Sequence, residues 1–170
     1  MEHQDSKIAK IHSLAQIPNL SNYIFWSRPG NGTLHCLSNH FDADKYHVHR
    51  IITPHISTFD LKPLPVLGQQ GDVSYVISNE FQEILKARDV DGKKLVLIFD
   101  EISNATESGA NVLYNAAIHR KFGDIELNDD DLVICAGMCD PNDNPYFGNL
   151  SRVFYNKMSH CILELKPAMA

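Results

Sequence analysis

The stretch that most constrains this chain is Leu95-Val96-Leu97-Ile98-Phe99-Asp100-Glu101. An unbroken apolar run of this length, with no polar alternation, can be buried on both faces, as a strand inside a parallel sheet must be. Two adjacent carboxylates close it. The carboxyl ends of parallel strands border the crevice where ligands gather, so Asp100 and Glu101 are expected at a crevice rather than in bulk solvent. One chemistry suits the pair: the first acid holds Mg²⁺, directly or through water, and the second orients or deprotonates an attacking water. A plainer role fits as well, in which both acids end a strand near the next helix's N-terminus, where negative charge is favoured.

The rest of the chain repeats the α/β habit. Tyr23 to Trp26, Val48 to Ile52, Leu132 to Cys135 and Cys161 to Leu165 are short runs rich in β-branched, aromatic and Leu residues, bounded by polar or Gly/Pro stretches. With the Leu95 run they give five strands. Ser78 to Arg88 carries Phe81, Ile84 and Leu85 at helical spacing, and Glu107 to His119 places Val112, Leu113, Ala116 and Ala117 on one face. A shorter helix is expected near Leu150 to Asn156, after a loop over Met138 to Asn149. Thr53 to Asp72 reads as a loop or hairpin insertion. The expected organisation is a single domain over residues 1–170, with a helical or flexible lead-in at 1–20 and a core at 21–165.

Composition narrows the function classes. A chain of 170 residues, 44% hydrophobic and 21% charged, matches one globular domain. Its net charge of -6 argues against affinity built on neutralising phosphates, so no nucleic-acid partner is expected. No apolar run is long enough to span a membrane and the first residues form no signal segment, so a cytoplasmic protein is expected. Cys36, Cys135, Cys139 and Cys161 are too few for a disulfide scaffold. Cys36 with His40, and His47 with His49, each place two metal-binding side chains on one face, but a structural site needs about four ligands, and no metal is expected. No nucleophile elbow of the form G-x-S-x-G occurs.

The span from Leu95 to Leu127, followed by Val133 to Gly137 and Leu150 to Leu165, closely resembles the MoxR-like and dynein-related branch of the AAA+ ATPases. That family runs in the order Walker B strand, helix with a basic pair at its end, short hairpin, sensor strand and helix ending in Asn-Arg-Phe. Tyr23 to Leu34 sits where the family has its first strand and phosphate-binding loop. The resemblance implies a P-loop α/β core with the five strands in the order fifth, first, fourth, third, second, and it makes Asp100 and Glu101 the Walker B acids.

Several positions depart from the family's pattern. A Walker A loop, G-x-x-x-x-G-K-[ST], uses backbone amides to cradle phosphates, Lys to reach the β and γ oxygens and a hydroxyl to hold Mg²⁺. Here the segment reads Ser27-Arg28-Pro29-Gly30-Asn31-Gly32-Thr33-Leu34, with Thr33 at the Lys position and Leu34 at the hydroxyl position. Met138 falls where the sensor Asn is expected, and a thioether donates no hydrogen bond. Lys157 falls at the arginine-finger position, keeping charge but losing the planar fork; Arg152 is a second basic candidate. The sequence ends at Ala170, where the family continues into a helical lid, so the resemblance implies a core without that lid.

These readings imply a degenerate AAA+ domain that does not hydrolyse ATP. It would act through protein contacts as a structural, regulatory or decoy subunit in a homo- or hetero-oligomer of AAA+ type. No cofactor is expected. The alternative is a weak or partner-assisted ATPase using Arg28 and the Asp100/Glu101 pair with ATP and Mg²⁺.

Overall fold

The Leu95 run folds as expected, into a strand whose side chains are buried on both sides: Leu95, Leu97 and Phe99 enter one core and Val96 and Ile98 the other. The computed structural model describes residues 8–17, 19–68 and 72–164. In chain order the strands are β1 (Ala9–Ile11), β2 (Tyr23–Ser27), β3 (Tyr46–Ile52), β4 (Leu64–Leu67), β5 (Val73–Val76), β6 (Lys94–Asp100), β7 (Lys121–Phe122), β8 (Ile125–Glu126), β9 (Leu132–Met138) and β10 (Ser159–Leu163). The helices are α1 (Thr33–Ser38), α2 (Asn79–Asp89), α3 (Glu107–Ile118) and α4 (Arg152–Lys157).

The main sheet is parallel throughout and ordered β1-β10-β2-β9-β6-β3. The five expected strands lie in the expected order, and β1 adds a sixth at the edge beyond β10. The first twenty residues are therefore not a helical or flexible lead-in where described: Ala9, Lys10 and Ile11 pair with Cys161, Ile162 and Leu163, and a short 3₁₀ turn follows at Leu14–Gln16. Leu165, the expected end of the last strand, lies outside the described residues, as do positions 1–7. The segment after Thr53 does form a hairpin, but its second strand, Val73–Val76, begins only after Asp72, beyond the expected insertion.

Helices close both faces of the sheet. α2 and α3 lie over the layer of Ile24, Trp26, Leu97, Phe99 and Cys135, to which they contribute Phe81, Ile84, Val112, Leu113 and Ala116. α1 covers the other layer with Leu37, against Phe25, Ile98 and Ile134. At about 1.5–3 kcal/mol for each fully buried large apolar side chain, these layers are the principal force holding the sheet. Local signals set the helix starts: Ser78, Thr106 and Ser151 each accept, through the side-chain hydroxyl, a first-turn N–H from Phe81, Gly109 and Phe154. Glu80 and Glu107 lie in first turns and Lys86 and Arg88 in the last turn of α2, complementing the helix dipoles. Burial pushes the Cys161 thiol up to about 12, and the Cys135 thiol also upward, so both behave as small hydrophobes in the core.

Candidate functional site

All strands of the main sheet run the same way, so Ser27, Asp100 and Met138, which end β2, β6 and β9, share its carboxyl edge. β9 lies between the other two. The sheet thus brings the glycine loop, the acidic pair and Met138 to one edge, while Lys157 is left elsewhere. Lys157 ends α4 two residues before β10 begins, which puts it by the amino edge of the sheet, exposed and away from Asp100.

The glycine loop has two residues in the left-handed region, Gly30 at φ +80° and Gly32 at φ +70°, which L side chains rarely adopt. A Cβ on Gly30 would meet nothing within 4 Å, so that position is open above the loop. Pro29 and Gly30 are exposed, and Asn31 donates through Nδ2 to the Leu163 carbonyl at 2.7 Å, tying the loop to β10. Thr33 opens α1 with its side chain buried, and its hydroxyl has no hydrogen-bond partner among the described residues. Leu34 is half-buried and packs on the second core layer.

Arg28 does not reach into open space. It donates from Nε and Nη2 to one oxygen of Asp143, at 3.2 and 2.9 Å, and Lys10 pairs with the other oxygen. Lys10 also bridges to Glu164 at 3.0 Å. Lys10 from β1, Arg28 after β2, Asp143 in the loop after β9 and Glu164 after β10 thus form one ionic cluster at the carboxyl edge of the sheet. The Asp143 carboxyl is held below its usual range, chiefly by Lys10 and then by Arg28. Asp143 and Glu164 in turn raise Lys10.

The acidic pair is similarly engaged. Asp100 is half-buried and receives Arg50 Nη2 on Oδ2 at 2.7 Å, and its Oδ1 accepts the Glu101 N–H at 2.9 Å. Glu101 is half-buried with φ +55°, an unusual backbone for a non-glycine residue. Met138 donates its N–H to Ser103 Oγ and accepts from the Tyr146 N–H.

Arg50 and Asp143 were missed from the sequence reading. Arg50 lies on the strand beside β6, with Ile52 opposite Asp100, so neighbouring strands would have indicated it. Asp143 sits in a loop whose sequence names no partner. His47 and His49 stack on β3 at 6.3 Å, and Cys36 and His40 lie on and after α1. Among the described residues no three His, Cys, Asp or Glu side chains converge as a metal site. A cavity of about 750 Å³ is bordered by Arg50 of β3, by Leu64 and Val76 of the hairpin and by Phe81, Ile84 and Phe122, and no residue of the glycine loop lines it.

No family model matches the sequence, and no curated protein matches it. Solved structures do resemble it. A Cytophaga hutchinsonii protein presumed to be an ATPase has a TM-score of 0.49 at 15% identity, over 88% of this chain and 43% of that one. Brucella abortus NtrX in complex with ATP has 0.49 at 12%, over 86% and 32%, and the Thermotoga maritima RuvB Holliday junction branch migration motor has 0.43 at 16%, over 86% and 38%. The chain therefore spans between 32% and 43% of the length of these neighbours. Among the described residues no helix is long and apolar enough to cross a membrane.

Proposed function

We propose that this chain is a degenerate AAA+ core, of the MoxR-like branch, that does not hydrolyse ATP and acts through protein contacts as a structural, regulatory or decoy subunit. The observation that carries this reading is the ionic cluster on the glycine loop. Phosphoryl transfer depends on cations placed around the phosphates and on a metal held by fixed oxygens. The loop's cation, Arg28, is bound to Asp143; the residue in the Lys position, Thr33, is buried and short; and Asp100 is neutralised by Arg50.

A magnesium nucleotide therefore does not fit these residues as they stand. Asp100 would have to release Arg50 to hold the ion, Leu34 offers no hydroxyl, and Asp143 puts a carboxylate against the cations that a phosphate would need. Glycines at positions 30 and 32 preserve the loop's backbone without the charges that would make it bind. Lys157 lies away from the crevice of its own subunit, so any role at the finger position is toward a neighbour, and exposed Arg152 and Lys157 on α4 suit a charged contact with another subunit.

The test is a titration with labelled ATP and Mg²⁺, with a parallel assay of phosphate release. Binding should be no tighter than about millimolar, roughly -4 kcal/mol, and release should stay at the buffer rate. Turnover that disappears in Glu101→Gln would overturn the reading and establish an active ATPase.

A further inference from the structure

β3 is the outer strand of the sheet, and its hydrogen bonds to β6 show which of its groups remain open. Thr53 donates to the Asp100 carbonyl, and the Lys45 carbonyl accepts from the Lys94 N–H. In a parallel pair alternate residues bond the same neighbour, so the odd-numbered residues of β3 face β6 and the even-numbered ones face outward. The Tyr46 N–H is taken by the Asp42 carbonyl and the Ile52 carbonyl by the His55 N–H. Among the described residues nothing reaches the backbone N–H and C=O groups of Val48 and Arg50. Such an edge is a template for another strand.

The β4–β5 hairpin carries the matching half. Gly68 donates to the Asp72 carbonyl, and Pro65, opposite Tyr75, has no N–H to give. The bonded pairs of this ladder are therefore Leu64 with Val76 and Val66 with Ser74, and on β5 the backbone groups of Val73 and Tyr75 point outward. Every residue of the two strands is exposed, with Leu67 77% and Tyr75 71% accessible, a patch a monomer rarely leaves open. Val73 and Tyr75 have the same two-residue spacing as Val48 and Arg50.

We propose that β5 of one copy adds antiparallel to β3 of the next, so that this chain assembles head to tail with copies of itself. Val73 then lies opposite Arg50 and Tyr75 opposite Val48, which lets Tyr75 cover Val48 beside Phe41 and Tyr46. Because the two surfaces differ, the contact is heterologous and closes into a ring or continues as a filament. The inference rests on the reading of the chain as a protein-contact subunit and names the partner as a second copy.

Sedimentation velocity over a wide concentration series tests it, with two variants. Val48→Pro removes an outward N–H at a position where an edge strand tolerates proline. Tyr75→Asp places a charge on the exposed hairpin. Each should weaken self-association at least about tenfold, a change of about 1.4 kcal/mol in association free energy. Mixed together they should form a one-to-one complex, because Val48→Pro keeps a hairpin and Tyr75→Asp keeps an edge. If Val48→Pro does not fold, a synthetic peptide spanning residues 72–77 should still dissociate the wild-type assembly, and the same peptide N-methylated at Val73 and Tyr75 should not. A wild-type chain that stays monomeric, variants that associate like wild type, a mixture with no new complex, or equal competition by the two peptides would each overturn the proposal. Tight ATP binding would instead overturn the reading under Proposed function and leave the sedimentation result standing.

Discussion

One oxygen of Asp143 takes both the Nε and the Nη2 hydrogen of Arg28, while Lys10 holds the other, so a single carboxylate joins the middle of β1, the glycine loop and the loop after β9. Asp143 is a loop residue with φ +66°, held in place by these partners and by the Asp140 turn, whose carboxylate accepts the Asn142 and Asn144 N–H groups. Asp143→Asn removes the charge and keeps the shape. The variant should melt at a lower temperature than wild type, and raising the salt should cost the wild type more than the variant, since screening weakens charges already lost in one of them. Equal melting temperatures with equal salt slopes would show that the cluster does not contribute.

Gly109 gives a steric test of how α3 meets the end of β3. A Cβ built there would lie 2.0 Å from the Thr53 carbonyl oxygen, a backbone atom that cannot swing aside. Alanine is the better helix former by about 1 kcal/mol, so propensity alone predicts that Gly109→Ala stabilises. The contact reverses the sign: the helix must shift, and a net loss of about 1–3 kcal/mol in unfolding free energy is expected, read as a lower urea midpoint. A stabilised variant would mean that α3 and Thr53 are farther apart than described.

His47 and His49 set a pH dependence of stability near neutrality. Burial is the largest cause lowering both, with Lys93 adding to it at His47 and with Glu80, Glu83 and Asp91 opposing it. The folded state therefore binds a proton less readily than the unfolded chain, whose histidines titrate near about 6.5. Stability is complete above that value and falls as the pH drops through it toward the lowered folded pKa. Melting temperatures at about pH 7.5 and 5.5 should show a drop in wild type and a smaller one in a His47→Gln, His49→Gln double variant. The same drop in both would assign the effect to other groups.

Asp131 is 1% exposed and holds the start of β6: Oδ1 accepts the Leu95 N–H and Oδ2 the Asn128 N–H, both at 2.7 Å. Asp131→Ala leaves the Leu95 N–H buried with no partner. The expected cost is about 1–3 kcal/mol for each group left unsatisfied, with Asp131→Asn intermediate because one acceptor remains. Chemical denaturation that places Asp131→Ala within about 0.5 kcal/mol of wild type, the range of ordinary surface changes, would contradict this role.

Much of the sheet was legible because a strand buried on both faces leaves an unbroken apolar run, as at Leu95 to Phe99. β1 left no such mark. Ala9-Lys10-Ile11 is three residues with a charged centre, and only its pairing with β10 makes it a strand. The candidate site was readable where chemistry is local, in Gly30, Gly32, Asp100 and Glu101. It was not readable where charge is answered from afar: Arg50 meets Asp100 across 50 residues and Arg28 meets Asp143 across 115. A single sequence records which side chains exist, while those pairings depend on the order of strands that carries them to one edge.

The glycine loop allows a gain-of-function test of that local reading. If Ser27 to Leu34 keeps the backbone of a phosphate-binding loop, then what it lacks is a cation at position 33 and a hydroxyl at position 34, and Thr33→Lys with Leu34→Thr supplies both. Thr33 opens α1, where an added cation sits at the helix N-terminus and a bound anion is favoured by the free N–H groups. Leu34 is half-buried, so its replacement removes some apolar packing and the variant should melt somewhat below wild type. Arg28 remains tied to Asp143 in this double variant, and adding Asp143→Asn releases it. ATP affinity should therefore rise at least about tenfold with the double change and further with the triple, reaching about the micromolar range, near -8 kcal/mol. A folded triple variant whose affinity stays at the wild-type level would show that the loop does not cradle phosphate, and that the likeness to a phosphate-binding loop at this end of the sheet is one of sequence alone.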